Sequence, residues 1–408
     1  MPILKRPPND DFTFRLFFQL ANGIKDSSKI YMWSSVLEPD YYLKWYDEEL
    51  GWCEEYELDY RKQLIDNIRS DTVVIGIKDH LSSNTQFNPW LHKMPVIVEM
   101  LSDMCTYYSD KKFIIFTSLE NLEYYLKNDN VTIIPWGGDI TNQQLEYPTI
   151  TPIINKNLNS QSTFLSLNRN NRIHRAMLVS LLYGMNLESN GLISWMHKDN
   201  VDNLFTDNSW IFNPDQSHIK QIIESGFNKV KHTSLSINDD VDIYKTMKQD
   251  IFSNKKKYST LHNDNVSNFK NSLSNYYQNT FVEIVSETTY TEKSYLLTEK
   301  TLNSIYGCCF PIMISGQGSV AFLREIGFDV FDDIINHNYD SIDNPVDRLY
   351  SAINDNLELL SNNDRTKEIW ISCKNRFLKN VETAKLPMYN FFKNRATEKI
   401  KQLTIIHK

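Results

Sequence analysis

Two short apolar segments in the second half of the chain, each followed by a polar turn and a helical pattern, place the tightest constraint on the fold. The first is Phe281–Glu287, after which a helix opens at Leu297–Lys300. The second is Cys309–Ile314, which leads through Ser315–Gly318 into another helix. Strands this short, alternating with helices, favour a parallel sheet, because consecutive parallel strands need a crossover connection.

The same alternation recurs along most of the chain, and it predicts an α/β fold. Further strands are predicted at Val73–Ile77, Lys112–Thr117, Val131–Ile134, Thr163–Asn168 and Leu192–Trp195. Helices are predicted at Ile173–Tyr183, Ile219–Gly226, Ile243–Ser253, Ser319–Ile326, Leu349–Leu360, Arg365–Ala384 and Tyr389–Ile405. The first roughly seventy residues show no clean period and are predicted as mixed helix and loop.

The length of the chain predicts two domains, since 408 residues exceed the usual size of one hydrophobic core. The Pro- and Asn-containing segment Tyr147–Ser162 is the best candidate for a linker. We therefore predict an N-terminal domain at 1–155, a second domain at 156–385 and a C-terminal helix at 386–408. The polar stretch 198–278 is interpreted as an elaboration of the second domain.

Charge and cysteine content narrow the class of protein. Lys and Arg number 43 against 51 Asp and Glu, and the net charge of −8 argues modestly against nucleic acid as the main partner. The five cysteines show no C-x-x-C pair, so neither a disulfide framework nor a zinc site is indicated. The N-terminus lacks the apolar core of a signal peptide, and no run reaches the roughly 18 apolar residues of a transmembrane helix. We expect a soluble, cytoplasmic protein without a transmembrane segment.

The loop after the strand Thr163–Asn168 concentrates basic residues at a helix start. It begins at Asn168 and contains Arg169, Arg172 and Arg175. Cations at a helix N-terminus oppose the helix dipole, so the arrangement favours a bound anion such as a diphosphate. The alternative is a solvated basic turn or a pair of structural salt bridges.

Two later loops carry groups suited to a nucleotide. Thr298, Glu299 and Lys300 place a carboxylate and an ammonium side by side at a strand-to-helix junction, which suits a ligand with ribose hydroxyls and phosphates. Glu299 alone is also ordinary dipole compensation. The glycines of Ser315–Gly318 would let backbone N–H groups approach a phosphate, or would simply form a tight turn.

These segments resemble the nucleotide-binding motif of the α-1,3-fucosyltransferase family. In that family a strand ending in Glu-Asn-Ser precedes Tyr-hydrophobic-Thr-Glu-Lys, a helix and a Val-Pro-Val-Val strand. Here the strand Phe281–Glu287, the triplet Thr298–Lys300 and the strand Phe310–Ile314 are similar, and the loop Asn168–Arg175 is similar to the upstream Asn-and-Arg segment. Departures are Glu287-Thr-Thr in place of Glu-Asn-Ser, and Leu296 where the family has Tyr. The resemblance covers about residues 160–335.

The resemblance implies a fucosyltransferase-like GT-B glycosyltransferase. Such enzymes have two Rossmann-like domains with a cleft between them, and C-terminal helices that brace the first domain. It implies that Lys300 and Arg172 or Arg175 neutralise the diphosphate of a GDP- or UDP-sugar, and that Glu299 accepts hydrogen bonds from ribose. Asn168, Glu287 and Thr298 complete the implied donor site. Transfer would be inverting and would need no metal or other cofactor.

An inverting transfer needs a base that deprotonates the acceptor hydroxyl. The positional candidates are Asp79 and His80, after the strand Val73–Ile77, and Asp139, after Val131–Ile134. Each is also an ordinary loop residue. Glu287 is the remaining candidate, with shaping of the donor site as its preferred role. Asp240-Val-Asp242 is the only D-x-D, the motif with which metal-dependent transferases hold a divalent cation, and it is interpreted as solvated surface.

Two alternatives to a transferase acting on a glycan or other hydroxyl acceptor remain open. One is a glycosyltransferase that acts on hydroxymethylpyrimidine bases of DNA, with Lys255–Lys257 and the arginine loop facing the DNA. The acidic net charge counts against it. The other is a non-catalytic protein that binds a nucleotide or a sugar and has lost the base.

Overall fold

The computed structural model describes residues 31–37, 40–47, 51–55, 72–78, 102, 105–117, 123, 126–135, 150–168, 173–195, 212–230, 269, 273–287, 290 and 297–406. The chain divides into two compact units. One unit comprises Met1–Asn142, Glu292–Leu297 and Met388–Lys408, and the other comprises Gln143–Thr291 and Thr298–Pro387. Each unit contains one sheet, and parallel pairing in both confirms the predicted α/β class.

The sheet of the first unit has six strands in the order β3-β2-β1-β4-β5-β6. In chain order they are β1 Tyr31–Leu37, β2 Asp40–Asp47, β3 Gly51–Glu55, β4 Thr72–Lys78, β5 Lys112–Thr117 and β6 Val131–Pro135. β1, β4, β5 and β6 pair in parallel, whereas β1, β2 and β3 form an antiparallel meander.

This meander corrects the expectation of mixed helix and loop for the start of the chain. Its strands carry aromatic residues at neighbouring positions, as in Asp40–Asp47, so the alternation of apolar and polar residues that marks a strand is weak. The register nevertheless places Tyr31 opposite Tyr46 and Met32 opposite Trp45. Aromatic and β-branched residues favour strands, and pairing across short connections decides the outcome.

The sheet of the second unit has four parallel strands in the order β10-β9-β7-β8. These are β7 Phe164–Asn168, β8 Gly191–Trp195, β9 Val282–Ser286 and β10 Phe310–Ile314, each within two residues of its predicted bounds. Every residue of β9 is buried, as expected for a strand whose two faces are both covered.

Ten helices are described, and most lie where the sequence predicts them. They are α1 Ile173–Gly184, α2 Ser217–Val230, α3 Ser274–Gln278, α4 Glu299–Tyr306, α5 Ser319–Ile326, α6 Pro345–Asn354, α7 Leu357–Ser361, α8 Asn363–Ser372, α9 Lys374–Thr383 and α10 Leu386–Ile406. The predicted helix Ile243–Ser253 lies outside the described residues.

The predicted helix Leu349–Leu360 is interrupted, because Asn356 turns the chain. Its side-chain amide donates to the carbonyls of Asn336 and Ala352, both at 3.0 Å, and its Oδ1 accepts from the Asn336 N–H at 2.8 Å. These bonds end the helical path between α6 and α7. The predicted helix Arg365–Ala384 is likewise divided, at Cys373, into α8 and α9.

In the second unit, helices pack closely against the sheet and against one another. Gly226 of α2 lies so near α1 that an added Cβ atom would be 1.7 Å from the Ser180 carbonyl oxygen. On another side, Phe310 and Phe331 meet edge to face and both contact Phe377. In the part of the chain that the structure describes, no helix is long and apolar enough to cross a membrane.

Candidate functional site

The strand order of the second sheet reverses between β7 and β9. From β7 the chain adds β8 on one side and β9 and β10 on the other. The register of β7 with β9 covers two residue pairs, at Phe164 and Leu165, against five between β9 and β10. The carboxyl halves of β7 and β9 therefore part. In open α/β sheets, ligands bind outside the carboxyl ends of the strands at such a reversal.

Buried polar atoms collect at the carboxyl ends of these strands. Asn168 Oδ1 ends β7, Ser286 Oγ ends β9 and Ser315 Oγ follows β10, and none of the three has a hydrogen-bond partner within the described structure. All three residues are at most 2% exposed. An unsatisfied buried polar group costs about 1–3 kcal/mol. These atoms are the groups that a polar ligand or bound water at this edge would satisfy.

Two side chains of α1 reach the end of β9. Arg175 Nη2 donates to the Ser286 carbonyl at 3.3 Å, and His174 Nε2 lies 3.1 Å from the Glu287 carbonyl. Both side chains are buried. They meet backbone carbonyls at the point where the pairing with β7 has ended. Arg175 therefore lies at the predicted site and holds the edge of the sheet.

The carboxylate of Glu287 joins β9 to the start of α4. It accepts from the Thr298 N–H at 3.0 Å, from the Thr298 hydroxyl at 2.6 Å and from the Thr301 hydroxyl at 2.6 Å. The Glu287 residue is fully buried. Its two oxygens thus cap the helix from outside, and its carboxylate is engaged by protein donors.

Lys300 and Glu299 form the exposed part of the site. Lys300 Nζ donates to the Thr298 hydroxyl at 3.1 Å and to Glu299 Oε1 at 2.8 Å. The two side chains are 25% and 26% exposed. They offer an ammonium and a carboxylate to a ligand at the first turn of α4. The structure thus brings Glu287, Thr298, Glu299 and Lys300 into contact with one another.

Tyr290 fixes the segment that leaves β9. Its ring lies between His174, stacked at 5.3 Å, and the guanidinium of Arg348, 4.9 Å from the ring centre. Its hydroxyl donates to the Pro345 carbonyl, and Arg348 Nη2 donates to the Tyr290 carbonyl. Burial raises the pKa of the Tyr290 hydroxyl far above its ordinary value. The phenol therefore stays protonated and serves as a donor.

The loop Ser315–Gly318 forms a turn that leads into α5. A carboxylate from a later part of the chain caps the start of that helix. Gly318 has a left-handed backbone with φ 88°, which favours glycine. The carboxylate of Asp340 accepts from the N–H groups of Val320 and Ala321 at 3.1 and 3.0 Å. An intramolecular carboxylate thus occupies the position that a phosphate would need at the start of α5.

A polar groove of about 780 Å³ lies beside α5, away from Glu287 and Lys300. Arg324 and Asp332 line it and form a two-pronged ion pair, with nitrogen-to-oxygen distances of 3.0 and 2.6 Å. This pairing lowers the pKa of the Asp332 carboxyl. None of the predicted donor-site residues that the structure describes lines this groove, so it lies apart from the predicted chemistry.

Several predicted residues lie outside the described part of the chain. These are Asp79, His80, Asp139, Arg172 and the Asp240–Asp242 motif. Among the residues that are described, no group of three or more His, Cys, Asp or Glu side chains is placed to hold a metal ion. The described site accordingly consists of the residues at the carboxyl ends of β7 and β9 and the Glu299 and Lys300 pair at the start of α4.

Comparison with known proteins supplies no relative. No protein-family model, no curated protein and no solved structure matches this chain. Its chemistry is therefore inferred from its own residues.

Sequence reasoning missed Tyr290 and Arg348, and no local pattern marks them, because their contact joins positions far apart in the chain. Ser286 could have been predicted from the sequence, as the polar residue that ends a mostly apolar strand.

Proposed function

We propose that this protein is a glycosyltransferase that moves a sugar from a nucleoside diphosphate sugar to a hydroxyl acceptor. The observation that carries the proposal is the set of polar groups at the strand-order reversal. There Asn168 Oδ1 and Ser286 Oγ, which have no hydrogen-bond partner among the described residues, end two parting strands. Glu287, the residue after Ser286, accepts from the Thr298 N–H at the start of α4, next to the Glu299 and Lys300 pair. Orphaned polar atoms and a partly exposed cation and anion suit a ligand rich in hydroxyls and phosphates.

In this proposal the donor nucleotide binds at the start of α4. The Lys300 ammonium neutralises charge that develops on the leaving diphosphate, and Glu299 accepts hydrogen bonds from the ribose hydroxyls. The Thr298 hydroxyl donates to Glu287 and accepts from Lys300, so Thr298 and Glu287 together hold Lys300 in place. Arg175 acts as a positioning residue, because its described contact is with the Ser286 carbonyl.

The acceptor side of the reaction is assigned to the first unit. A two-domain GT-B arrangement brings a base across a cleft, and Asp79, His80 and Asp139 are the candidates to deprotonate the acceptor hydroxyl. We propose an inverting transfer without an essential metal, in line with the family that the sequence resembles. The donor is a GDP- or UDP-sugar, and the acceptor is a glycan or another hydroxyl compound.

The first test is a thermal-shift screen of the full chain against GDP, UDP, ADP and CMP and their common sugars. Binding to the folded state stabilises it by about 2.7 kcal/mol at a hundred times the Kd. One nucleotide is therefore expected to raise the melting temperature in a concentration-dependent way. No shift with any of them would leave the donor site without support.

Lys300→Ala then tests the site itself. Loss of one charged hydrogen bond to phosphate is expected to weaken nucleotide binding about 10- to 100-fold. Lys385→Ala is the matched control, because Lys385 lies in the turn between α9 and α10, in the same unit, and pairs with Glu382 at 2.6 Å. Equal affinity in both variants would remove Lys300 from the site.

The alternatives give different results in the same series. A DNA glycosyltransferase would be retained on DNA in a salt-dependent way. A binding protein without a base would bind the donor but release no sugar in the presence of any acceptor. Donor hydrolysis or transfer, monitored by release of nucleoside diphosphate, therefore separates the enzyme from the binding protein.

A further inference from the structure

A buried lysine and a buried cysteine meet at the amino end of β10, opposite the carboxyl ends of the strands that bear the candidate site. Lys156 Nζ lies 3.2 Å from the sulfur of Cys309, the residue directly before β10. The two residues are 9% and 2% exposed. A lysine is rarely so deeply buried unless it is paired. The contact plays no part in the proposed transfer, so it calls for its own explanation.

Two backbone carbonyls fix the position of the ammonium. Lys156 Nζ donates to the Tyr277 carbonyl at 2.7 Å and to the Gly307 carbonyl at 2.5 Å. Tyr277 lies in the last turn of α3, and Gly307 follows α4, so both are carbonyls at helix C-termini, where a cation is favoured. An ammonium has three donors. Two are engaged by these carbonyls, and the third direction points at sulfur.

Two backbone carbonyls also lie near the sulfur. Cys309 Sγ lies 3.6 Å from the Gly307 carbonyl and 3.7 Å from the Thr280 carbonyl. Burial raises the pKa of the Cys309 thiol, and the charge of Lys156 opposes that rise. The neighbouring Cys308 Sγ instead lies 3.9 Å from the Tyr306 carbonyl. Cys309 is therefore the cysteine presented to the amine.

We propose that Lys156 and Cys309 are a site of oxidative modification, at which one oxygen atom is inserted to give a covalent Nζ–O–Sγ bridge. The oxidant is molecular oxygen. The Lys156 ammonium, the Cys309 thiol and one O₂ give the bridge, one water molecule and one proton. Two N–H bonds, the S–H bond and the O–O bond break, and an N–O and an O–S bond form. Nitrogen and sulfur each lose two electrons, and O₂ gains four.

Geometry favours this product over ordinary thiol oxidation. The nitrogen and the sulfur are held in fixed contact, so their coupling through one oxygen has a high effective concentration, whereas a thiol from solution must enter a buried site. The bridge would join position 156 to position 309 and so restrict the unfolded chain over a long loop, as a disulfide does. The oxidised protein is therefore expected to melt at a higher temperature than the reduced protein.

The experiment compares intact masses of the full chain. Protein purified anaerobically with dithiothreitol is divided, and one half is kept in air-saturated buffer after the reductant is removed. We expect the aerobic half to gain the mass of one oxygen less two hydrogens. Dithiothreitol should reverse the change, and peptide mapping should find the segment of Lys156 linked to that of Cys309.

Variants sharpen the assignment. Cys309→Ser and Lys156→Arg are each expected to abolish the mass change, since a hydroxyl and a guanidinium cannot form the bridge. Cys373→Ser is the matched control and should keep it, because the described contacts of this buried sulfur are with Ser372 and Arg376, and no lysine is among them. The wild-type map decides the question even if a variant fails to fold.

Other masses would overturn the proposal. Loss of two hydrogens alone would indicate a disulfide, for example between Cys308 and Cys309. Gain of one, two or three whole oxygens would indicate ordinary oxidation of a thiol or a methionine. An unchanged mass in air would show that the contact is a hydrogen bond only.

Discussion

The Thr298 hydroxyl donates to Glu287 Oε2 at 2.6 Å and at the same time accepts from Lys300 Nζ at 3.1 Å. A single oxygen thus connects a fully buried carboxylate with a partly exposed ammonium. The carboxylate fixes the hydroxyl, and the hydroxyl orients the lysine. Lys300 is therefore held at the start of α4 before any ligand arrives, which lowers the ordering cost of binding.

Thr298→Val tests this connection, because valine keeps the shape and removes the hydroxyl. The buried Glu287 carboxylate would lose a donor, so we expect the free energy of unfolding to fall by about 1–3 kcal/mol in urea denaturation. Thr397→Val is the control. Its hydroxyl donates to the Lys393 carbonyl at an exposed position, and its removal should change stability by less than about 0.5 kcal/mol. Equal effects of the two changes would contradict the bridging role of Thr298.

Arg348→Lys tests how the segment after β9 is held. Arg348 donates to the carbonyls of Ile342 and Asp343 at 2.7 and 3.2 Å and also to that of Tyr290. One ammonium cannot reproduce this fork, so we expect a loss of about 2–3 kcal/mol in the free energy of unfolding. The exposed Arg365, which pairs with Glu358, gives the control Arg365→Lys, with little change expected.

Glu283→Gln is predicted to change how stability depends on pH. Burial raises the pKa of the Glu283 carboxyl to about 8, from an ordinary value of 4.5. The folded state therefore keeps a proton that the unfolded state releases, and wild-type stability should fall by about 1.4 kcal/mol per pH unit across that interval. Glutamine has no proton to lose, so the variant should gain on wild type as the pH rises from 4.5 towards 8.

Urea denaturation at several pH values in this range measures that difference. The exposed Glu358→Gln variant is the control and should track the wild type. Parallel pH profiles for wild type and Glu283→Gln would mean that the Glu283 carboxyl titrates normally in the folded protein.

A comparison of Gly226→Ala with Gly327→Ala separates two reasons why a position requires glycine, namely close packing and a left-handed backbone. A Cβ atom at Gly226 would lie 1.7 Å from the Ser180 carbonyl oxygen, so α1 and α2 would have to move apart. We expect a loss of more than about 3 kcal/mol in the free energy of unfolding. At Gly327 the nearest atom would be 3.9 Å away, and only the backbone with φ 107° resists substitution. Gly327→Ala should therefore cost about 1–2 kcal/mol, and a larger effect there than at Gly226 would contradict the packing argument.

Local patterns sufficed to predict β5, α5 and the parallel sheet of the second unit. Continuous apolar runs such as Phe310–Ile314 indicate buried strands, and capping residues such as Thr298 mark helix starts. The strands Tyr31–Leu37 and Asp40–Asp47 were missed, because their order rests on pairing with a neighbour and not on a period within either segment. The break at Asn356 was missed for the same reason, since its partner Asn336 lies outside the helix.

The same distinction, between local patterns and contacts with distant parts of the chain, applies to the candidate site. The sequence placed Glu299 and Lys300 together because they are adjacent, and it placed Glu287 near them because a strand ends beside the helix that follows. It left open whether Ser315–Gly318 binds phosphate, because the deciding group, Asp340, approaches from a later turn. Contacts that close through distant parts of the chain have no local signature.

Tyr290 and Arg348 carry a consequence for protein engineering. The stretch 281–331 contains both strands of the motif, both helix starts and the charged pair. It is therefore the segment that a designer would transplant into another protein. The path of the chain after β9, however, depends on the guanidinium of Arg348. This residue lies in α6, beyond that stretch. Transplanted into another parallel sheet without α6, the segment would lose the partner of its Tyr290 carbonyl. A working chimera would have to exchange at least residues 173–354 as one block.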